Sequence, residues 1–328
     1  MAEAKTKALR TWPHLAARRR RPSEYEIVST NLHWRTQFEE YSELSPSLPI
    51  NKWYRKYVRE SPLRHDDWDG FRDPDEVTYR TYTVAQDGQE AYVDGLLDEH
   101  DELGHDASLP DEWVPVLARL YTPGRFMLHA VQMASAYIVI AAPASTVTCT
   151  AAFQMGDALR WVARLAYRTA ELAEHRPGFG FAQQERRVWE QDPAWQGLRE
   201  LTERALVAYD WGEAIVALNV VLKPAIDEAF LRQLAAAGRR HGDTLLGLLA
   251  DAQLRDSDRS RRWTKALVEY ARQHPGNDEV LARWAEKWVP LGDRAMETFA
   301  AALPESPDAG ATAVRDARAF RTSLGFTV

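Results

Sequence analysis

Cysteine is nearly absent from the sequence, glycine is scarce, and no long apolar run occurs. The 328 residues include one cysteine, Cys149, and 17 glycines. A single thiol excludes an internal disulfide framework and zinc sites built on cysteine pairs. The longest apolar candidate, residues 134–142, is much shorter than the roughly 18 residues that a membrane span needs. Because the N-terminus also has no apolar core, we expect a cytoplasmic globular protein.

Positive charge is in deficit. Lys and Arg total 41 against 48 Asp and Glu, which gives a net charge of −7. Such a chain offers no general attraction to nucleic acid or to an anionic membrane. The basic run at residues 18–21 lies beside Glu24 and Glu26, and a run this short is typical of a solvated segment. We therefore expect neither nucleic acid nor a membrane as a partner.

Motifs for nucleophilic and phosphate chemistry are also missing. The sequence contains no Gly-x-Ser-x-Gly elbow, no Gly-x-x-x-x-Gly-Lys loop and no dinucleotide-binding glycine pattern after a strand. Cys149 lies in an apolar helical segment, which indicates an inert core thiol. We predict no catalytic and no cofactor-binding residue in this chain.

What the sequence does contain is a long series of amphipathic helices, which predicts the all-α class. Apolar residues recur at three- and four-residue intervals. Pro123 is expected to kink or break one helix, Asp192-Pro193 to start another, and Pro224 to separate two more. Asp256 or Ser257 is expected to cap a further helix. A short strand is predicted only over residues 77–84. The predicted helices cover residues 89–100, 110–142, 145–175, 193–221, 225–240, 244–254, 256–270 and 277 onwards.

The first 85 residues differ from the rest. They are rich in proline and aromatic residues and show no sustained helical period. Disordered tails carry few aromatics, so we interpret residues 1–85 as an extended arm that lies against a surface. Residues 86–328 form the predicted helical domain. The aromatic residues expected to make subunit contacts are Trp12, Tyr25, Trp34, Trp53, Tyr54 and Trp68.

Helical bundles of this type can hold two metal ions. Carboxylate proteins of that kind take one Glu from each of two helices and a Glu-x-x-His pair from each of the other two. This chain has one such pair placed among acidic residues, Glu102 and His105, and the intervening Gly104 with Pro110 close behind indicates a helix end. The cluster from Asp98 to Asp106 leaves one alternative open, a free-standing helical metalloenzyme.

Two other metal-binding patterns are incomplete. The dipeptides His65-Asp66 and His105-Asp106 occur in helical phosphohydrolases, but here both fall in poorly helical stretches. Glu171 and His175 have a four-residue spacing that some zinc sites use, but the second His of a His-Glu-x-x-His helix is missing. We therefore predict no metal ligands in this chain.

Charged residues nevertheless occur in the middle of apolar helices. An unpaired buried charge costs several kcal/mol, so those that face inward need partners. We hypothesise that an ion-pair network occupies the place where a related bundle would hold metal. The proposed members are Asp157, Arg160, Asp210 and Glu213.

Several sequence blocks carry a resemblance to a known family. They include RTWPHL at 10–15, RPSEYEIVS at 21–29, APAST at 142–146, DWGEA at 210–214 and WTKALV at 263–268. On these blocks the chain resembles the β subunit of the hydroxylase component of bacterial toluene-type multicomponent di-iron monooxygenases. The resemblance extends from about residue 9 to the C-terminus.

The resemblance implies a ferritin-like helical bundle without metal ligands and a noncatalytic, structural role. In that family the di-iron centre lies in a partner α subunit, and a γ subunit completes an (αβγ)2 assembly. The complex works with a ferredoxin, an NADH reductase and a small effector protein, and inserts one O₂ atom into an aromatic hydrocarbon or an alkene. The arm would then wrap an α subunit. A helical interaction protein outside any oxygenase is the second alternative.

Overall fold

The computed structural model describes residue 15, residues 20–30 and residues 48–327. Trp12 and Trp34, two of the predicted interface aromatics, lie outside the described residues. Within the described ranges all regular structure is helical, so the predicted all-α class is confirmed. No helix in these ranges is long and apolar enough to cross a membrane.

The described residues of the N-terminal part form short helices and turns. Helix α1, Glu24–Ser29, begins with a capping box in which Ser23 is the N-cap. Helix α2, Pro49–Tyr54, continues as a π-helical turn over Arg55–Arg59. A 3₁₀ turn over Trp68–Gly70 precedes the body of the molecule.

Helix α3, Tyr79–Glu102, replaces the strand that the sequence predicted over residues 77–84. Thr78 accepts a hydrogen bond from the Thr81 N–H, and the Thr81 side chain accepts one from the Thr78 N–H. This reciprocal cap starts a helix, which overrides the alternation of β-branched and aromatic residues. The helix begins before the predicted domain boundary at residue 85.

The next helices follow the predicted pattern except for two short ones, over residues 105–108 and 185–191, that the sequence did not predict. Helix α4 is His105–Ser108, and α5 is Val114–Val116 with a π-helical turn over Leu117–Tyr121. The chain breaks at Pro123, as predicted, before α6, Gly124–Ala141, and α7, Ser145–His175. Helix α8 is Glu185–Gln191. Helix α9, Pro193–Ala205, has Asp192 as N-cap and proline in its first position, again as predicted.

Two predicted boundaries after α9 are wrong. The chain leaves the helix at Ala205 and restarts only at Trp211, with Asp210 as N-cap, where the sequence predicted one helix to residue 221. It is then helical without interruption through Pro224; we call this composite helix α10. Its segments are Trp211–Ile215, Val216–Leu222, Lys223–Ala225, Ile226–Gln233 and Leu234–Arg240.

Pro224 does not end α10 because the helix is wound as a π-helix on both sides of it. A proline removes one N–H and crowds the carbonyl four residues earlier in an ordinary α-helix. In the π-helical stretch the bonds run five residues back, as from the Lys223 N–H to the Leu218 carbonyl. This wider winding accommodates the proline ring inside the helix.

Helix α11, Thr244–Ala271, is also longer than predicted, because neither Asp256 nor Ser257 caps a helix. Both residues are buried in the middle of it, and their side chains bond to other helices. Helix α12, Asn277–Ala300, continues through Pro290, and α13, Ala309–Ser323, follows. The long helices α6, α7, α11 and α10 pack in a ring around the core.

Candidate functional site

One polar side chain from each of the four central helices meets in the bundle core. Gln154 of α7 donates to Ser135 of α6 at 3.1 Å and accepts from Asn219 of α10 at 2.9 Å. Asn219 also donates to Thr264 of α11 at 2.9 Å. All four are at most 3% exposed. We call this set the neutral layer.

The neutral layer is poorly suited to metal binding. Amide and hydroxyl groups carry no charge, whereas bundle metal sites rely on carboxylates and imidazoles. The donors here are already used, since the Thr264 hydroxyl donates a hydrogen bond to the Ser260 carbonyl at 2.6 Å. Satisfied buried networks of this kind specify which helices pack together. The layer thus fixes the arrangement of the four helices.

A second, charged cluster lies between α3, α7 and α11. The Asp256 carboxylate accepts from the Trp161 indole at 2.8 Å and from Arg160 at 3.3 Å. Asp157 pairs with Arg259 and Arg160, and accepts from the Tyr82 hydroxyl at 3.0 Å. We call Asp157, Arg160, Asp256 and Arg259, with these neighbours, the α3-side cluster.

The α3-side cluster contains a carboxylate whose charge is disfavoured. Burial and the neighbouring Asp256 carboxylate raise the pKa of Asp157 to about 6, although Arg259 acts to lower it. A cavity of about 20 Å³ borders Asp157 and Asp256, together with Asp227 of α10. A space of this size holds one water molecule.

A third cluster lies at the other end of α7 and involves α4 and the start of α11. Arg168 is fully buried, and its guanidinium donates to Asp243 at 2.8 Å and to Asp106 at 2.9 Å. Asp243 also accepts from the Trp113 indole at 3.0 Å and from the Leu246 N–H at 2.9 Å, and it contacts His105 at 3.3 Å. We call Asp106, Arg168 and Asp243 the buried triad.

The electrostatics of the buried triad differ from those of the α3-side cluster. Burial raises the pKa of Asp243, but the Arg168 charge and the hydrogen bonds from His105 and Trp113 outweigh it. The pKa of this carboxyl is therefore held well below its ordinary value. Asp243 consequently stays ionised inside the protein.

The fourth of these polar sets contains the third buried acidic pair and lies between α10 and α11. Asp227 and Glu228 are 1% and 2% exposed, and both accept from Arg261, at 2.9 and 2.7 Å. Ser257 donates to Asp227 at 2.7 Å. In each of the three charged clusters an arginine supplies the positive charge that a metal ion would supply in a carboxylate bundle.

The hypothesised ion-pair network is half correct. Asp157 and Arg160 are members of the α3-side cluster. Asp210 instead caps α10 and accepts from Ser61 at 2.9 Å, and Glu213 accepts from the Trp288 indole at 3.0 Å. These two residues lie at the start of α10, so helical position and capping explain them better than a shared network.

The histidine and acid cluster from Asp98 to Asp106 does not assemble as a metal site. Gly104, with φ of +64°, ends α3 and places Glu102 and His105 on different helices. His100 meets His105 edge to face at 5.0 Å, while Asp101 pairs with His175 at 2.8 Å. Over the described ranges no group of three or more potential ligands converges.

His65 and Cys149, which the sequence also offered as candidates, are held by packing and hydrogen bonds or are buried. His65 stacks on Tyr270 at 4.2 Å, and its Nδ1 accepts from the Asp67 N–H at 3.0 Å. Cys149 is half-buried, and burial raises the pKa of its thiol to about 11, which leaves it a poor nucleophile at neutral pH.

The described arm aromatics pack on the chain itself, either on the rest of the arm or on the helical domain. Tyr25 is 5% exposed, and its hydroxyl accepts from the Asp73 N–H at 3.0 Å. Trp53 contacts Tyr137 edge to face at 5.4 Å, and Trp68 contacts Trp211 in the same way at 4.8 Å. Tyr54 is partly buried against the core. Their role in subunit contacts stays a prediction.

Sequence reasoning missed an apolar face on α7 in which half of the residues are exposed and half are intermediate in burial. Leu159 is 54% exposed on this helix, and small or apolar residues precede and follow it at three- and four-residue intervals. Such spacing places them on one side of the helix. We call this set the α7 stripe: Ala152, Met155, Leu159, Ala163, Ala166 and Ala170. In the sequence this face is visible as a second row of apolar residues on α7, separate from the row that is buried.

A family model described as "Methane/Phenol/Alkene Hydroxylase" matches residues 53–275. The chain is 49% identical over 298 residues to the β subunit of the hydroxylase component of the toluene-4-monooxygenase system of Ectopseudomonas mendocina, covering 90% of this chain and 91% of that protein. It is 27% identical over 315 residues to the phenol 2-monooxygenase oxygenase component DmpL of Pseudomonas sp. (strain CF600), covering 94% and 88%.

Solved structures agree with the sequence relatives. A structure of toluene bound in the resting active site of toluene 4-monooxygenase superposes with a TM-score of 0.87 at 48% identity, covering 92% of this chain and 99% of that chain. A phenol hydroxylase from Pseudomonas sp. OX1 superposes at 0.86 and 20% identity, covering 100% and 99%, which shows the shared fold. The predicted ferritin-like bundle and the predicted family are thereby confirmed, and the chain belongs to the methane/phenol/alkene hydroxylase family as a subunit of β type.

Proposed function

We propose that this chain is the noncatalytic, structural β subunit of a multicomponent monooxygenase hydroxylase that inserts one O₂ atom into an aromatic hydrocarbon or an alkene. The observation that carries this proposal is the bundle core. There the neutral layer and the arginine-paired acids occupy the interior of a fold that elsewhere supports metal ligands. The chain keeps the packing surfaces of such a bundle while its polar core groups bond to one another.

The partner in this proposal is an α subunit that holds the di-iron centre, with a γ subunit in an (αβγ)2 assembly. Electrons would come from NADH through a reductase and a ferredoxin, and a small effector protein would act on the same hydroxylase. The assembly would work in the cytoplasm.

The α7 stripe supports the contact with a large partner. Isolated exposed apolar residues are common, but a continuous apolar face on a long helix marks an interaction surface. Four of its six members are alanines, and small side chains allow another helix to approach closely. We therefore propose that a helix of the α subunit packs along Ala152, Leu159 and Ala163, in addition to the contacts of the arm.

The test is affinity purification of the tagged chain from cells that express its native operon. Partner stoichiometry and iron are counted in the same sample. The expected result is equimolar recovery with a larger, iron-containing polypeptide, and no iron on this chain once that partner is removed. Recovery of the chain alone with stoichiometric metal would overturn the proposal and favour the metalloenzyme alternative at Asp98 to Asp106.

A matched pair of variants tests the interface. Leu159→Glu places a charge in the α7 stripe and is expected to reduce recovery of the large partner at least tenfold, because an unpaired charge would be buried at the contact. Ala282→Glu, at an exposed position of α12, is the control and is expected to leave recovery unchanged. Equal recovery with both variants would show that the partner packs elsewhere.

A further inference from the structure

The two halves of α3 are held to the rest of the molecule in different ways. Four of its 24 residues are buried, and three of them, Val93, Leu96 and Leu97, lie in the second half. Gln86 is the single buried residue of the first half, and it is polar. The first half therefore buries little apolar surface. We call residues 79–92 the α3 lid.

The centre of the α3 lid is attached through hydrogen bonds to carboxylates. The Gln86 amide donates to Asp157 and to Asp256, each at 3.2 Å, and the Tyr82 hydroxyl donates to Asp157 at 3.0 Å. The Tyr82 ring also stacks on Phe153 at 4.8 Å. The buried Gln86 Oε1 accepts no hydrogen bond within the described residues. An acceptor left in this state is satisfied by water when the lid opens.

Ion pairs attach the rest of the α3 lid. Glu90 pairs with Arg160 at 2.5 Å and with Arg164, and Arg80 pairs with Glu24 of α1 at 2.5 Å. All five side chains reach solvent in part, and ion pairs of this kind contribute little net stability because water solvates the separated charges. Few buried apolar contacts and many contacts that water can replace are typical of segments that open locally.

The helix itself is weak within the α3 lid. Gly88 is exposed near its middle, and a Cβ added there would meet no heavy atom within 4 Å. Packing therefore does not require a glycine at this position. A glycine in a helix interior is less stable than alanine, by an amount that makes local opening about fourfold more frequent.

Asp157 lies beneath the α3 lid and is sensitive to its opening. Burial and the Asp256 carboxylate raise the pKa of Asp157 to about 6, although Arg259 and the bond from Tyr82 act to lower it. Contact with water would return this pKa toward its ordinary 3.8, so the open state binds the proton less tightly. Opening is therefore favoured as pH rises through 6. The charged or titratable groups that face Asp157 are Tyr82 and Glu90 of α3, Arg160 of α7, Asp256 and Arg259 of α11, and Asp227 and Lys223 of α10, which border the same cavity.

We propose that the α3 lid opens as a unit while residues 93–102 stay docked, and that the opening is proton-sensitive and exposes the carboxylates of Asp157 and Asp256 to water. Both carboxylates border the cavity of about 20 Å³ described above, so an open lid gives water and protons a route to the interior of the bundle. The inference does not depend on the proposed function, since the contacts that carry it lie within this chain.

The first experiment is hydrogen exchange of the full-length chain at pH 5 and pH 7, followed by mass spectrometry. Observed rates are divided by the intrinsic rates at each pH to give the frequency of opening. Peptides from residues 79–92 are expected to open at least tenfold more often than peptides from residues 93–102, and about tenfold more often at pH 7 than at pH 5. Asp157→Asn is expected to remove this pH dependence. Equal opening in both halves, or a pH dependence that persists in Asp157→Asn, would overturn the proposal.

The second experiment compares two glycines of the same helix. Gly88→Ala is expected to make opening of the α3 lid about fourfold less frequent at both pH values. Gly95→Ala, the same change at an exposed glycine of the docked half, is the matched control and is expected to leave the lid unchanged, because residue 95 stays helical in both states. Equal effects of the two variants would show that α3 opens as a whole and would overturn the proposal. Neither glycine contacts the α3-side cluster, so this test holds even where Asp157→Asn does not fold.

Discussion

The α3-side cluster and the buried triad both hold carboxylates inside the protein, but the pKa of Asp157 is raised and the pKa of Asp243 is lowered. The first has two acids and two arginines, yet the pKa of Asp157 is raised to about 6. The triad has two acids and a single arginine, yet the pKa of Asp243 is lowered. Counting charges would predict the reverse. The number of cations therefore does not decide which buried carboxylate stays ionised.

Local geometry explains the difference. Asp243 is the N-cap of α11, a helix of 28 residues, and it accepts from a backbone N–H, an indole and Arg168. A helix N-terminus and several donors favour a negative charge. Asp157 lies in the middle of α7 and has the Asp256 carboxylate as a neighbour, which disfavours it. The helix N-terminus at Asp243 and the second carboxylate beside Asp157 thus outweigh the count of arginines.

The strongest test of this comparison is Arg168→Met. It leaves Asp106 and Asp243 buried without a cation, and we expect a loss of about 3–5 kcal/mol in the free energy of unfolding. The measurement is urea unfolding of the purified chain followed by tryptophan fluorescence. Arg164→Met is the control and is expected to cost about 1 kcal/mol, since its partners Glu90 and Asp94 both reach solvent. Equal losses would contradict the assigned role of Arg168.

If Arg168→Met fails to fold, a triple variant provides a second test of the buried triad. Asp106→Asn, Arg168→Met and Asp243→Asn together remove all three charges, and asparagine is still a good helix cap. We expect this triple variant to be more stable than Arg168→Met alone, because no charge is left unpaired. A triple variant less stable than the single one would show that packing, not charge, dominates this site.

The pH dependence should have opposite signs at the two sites. Asp157 binds a proton more readily in the folded state, with a pKa of about 6 against an ordinary 3.8. Its contribution to stability therefore decreases as pH rises through that window, by up to about 3 kcal/mol. Asp243 binds a proton less readily when folded, so its contribution is present above the ordinary value of 3.8 and decreases as pH falls below it.

The check is urea unfolding of the wild type, Asp157→Asn and Asp243→Asn between pH 3 and pH 7. The wild-type advantage over Asp157→Asn should decline from pH 4 to pH 7. The advantage over Asp243→Asn should be constant from pH 5 to pH 7 and decline below pH 4. Parallel curves for the two variants would mean that the two carboxyls do not differ as described.

Each cluster also has one indole donor, which allows a matched comparison. Trp113→Phe removes the donor to Asp243, and Trp161→Phe removes the donor to Asp256. A hydrogen bond to a charged group contributes about 1.5–3 kcal/mol, so we expect losses near 2 kcal/mol for both variants. If urea unfolding shows similar losses of stability, the pKa difference between Asp157 and Asp243 comes from their positions in the helices and from the neighbouring charges. A loss confined to one variant would assign that pKa difference to the indole donor.

Much of the fold was predictable because its signals are local. Helix α7 was predicted over residues 145–175, and Asp192 with Pro193 marked the start of α9, since capping and apolar spacing depend on neighbours in sequence. The same reasoning failed at Asp256, which looks like a cap but accepts hydrogen bonds from α7. A buried acid and a capping acid have the same letter in the sequence, and only tertiary contacts distinguish them.

The candidate site was predictable to the same extent: local features were found, and contacts between distant residues were not. Sequence reasoning found Asp157 and Arg160 because charges inside an apolar helix need partners, but it could not pair them with Asp256 and Arg259 about a hundred residues away. It missed the neutral layer, since Gln154 and Asn219 carry no charge and belong to no motif. The family, by contrast, was recognised from sequence blocks spread over the whole chain, because many weak matches in order are specific together.

The smallest expected effect concerns the neutral layer, which serves as the uncharged reference for both clusters. Ser135→Ala removes one acceptor of Gln154, whose amide still donates to Asn219 at 3.2 Å. We therefore expect a loss of only about 0.5–1.5 kcal/mol by urea unfolding, with no change between pH 4 and pH 7 because no charged group is involved. Ser260→Ala, also buried, is the control, since its hydroxyl bonds within its own helix to the Ser257 carbonyl. A pH-dependent loss in Ser135→Ala would mean that the neutral layer is coupled to Asp157, one helical turn from Gln154 on α7, and that the layer and the α3-side cluster are one network.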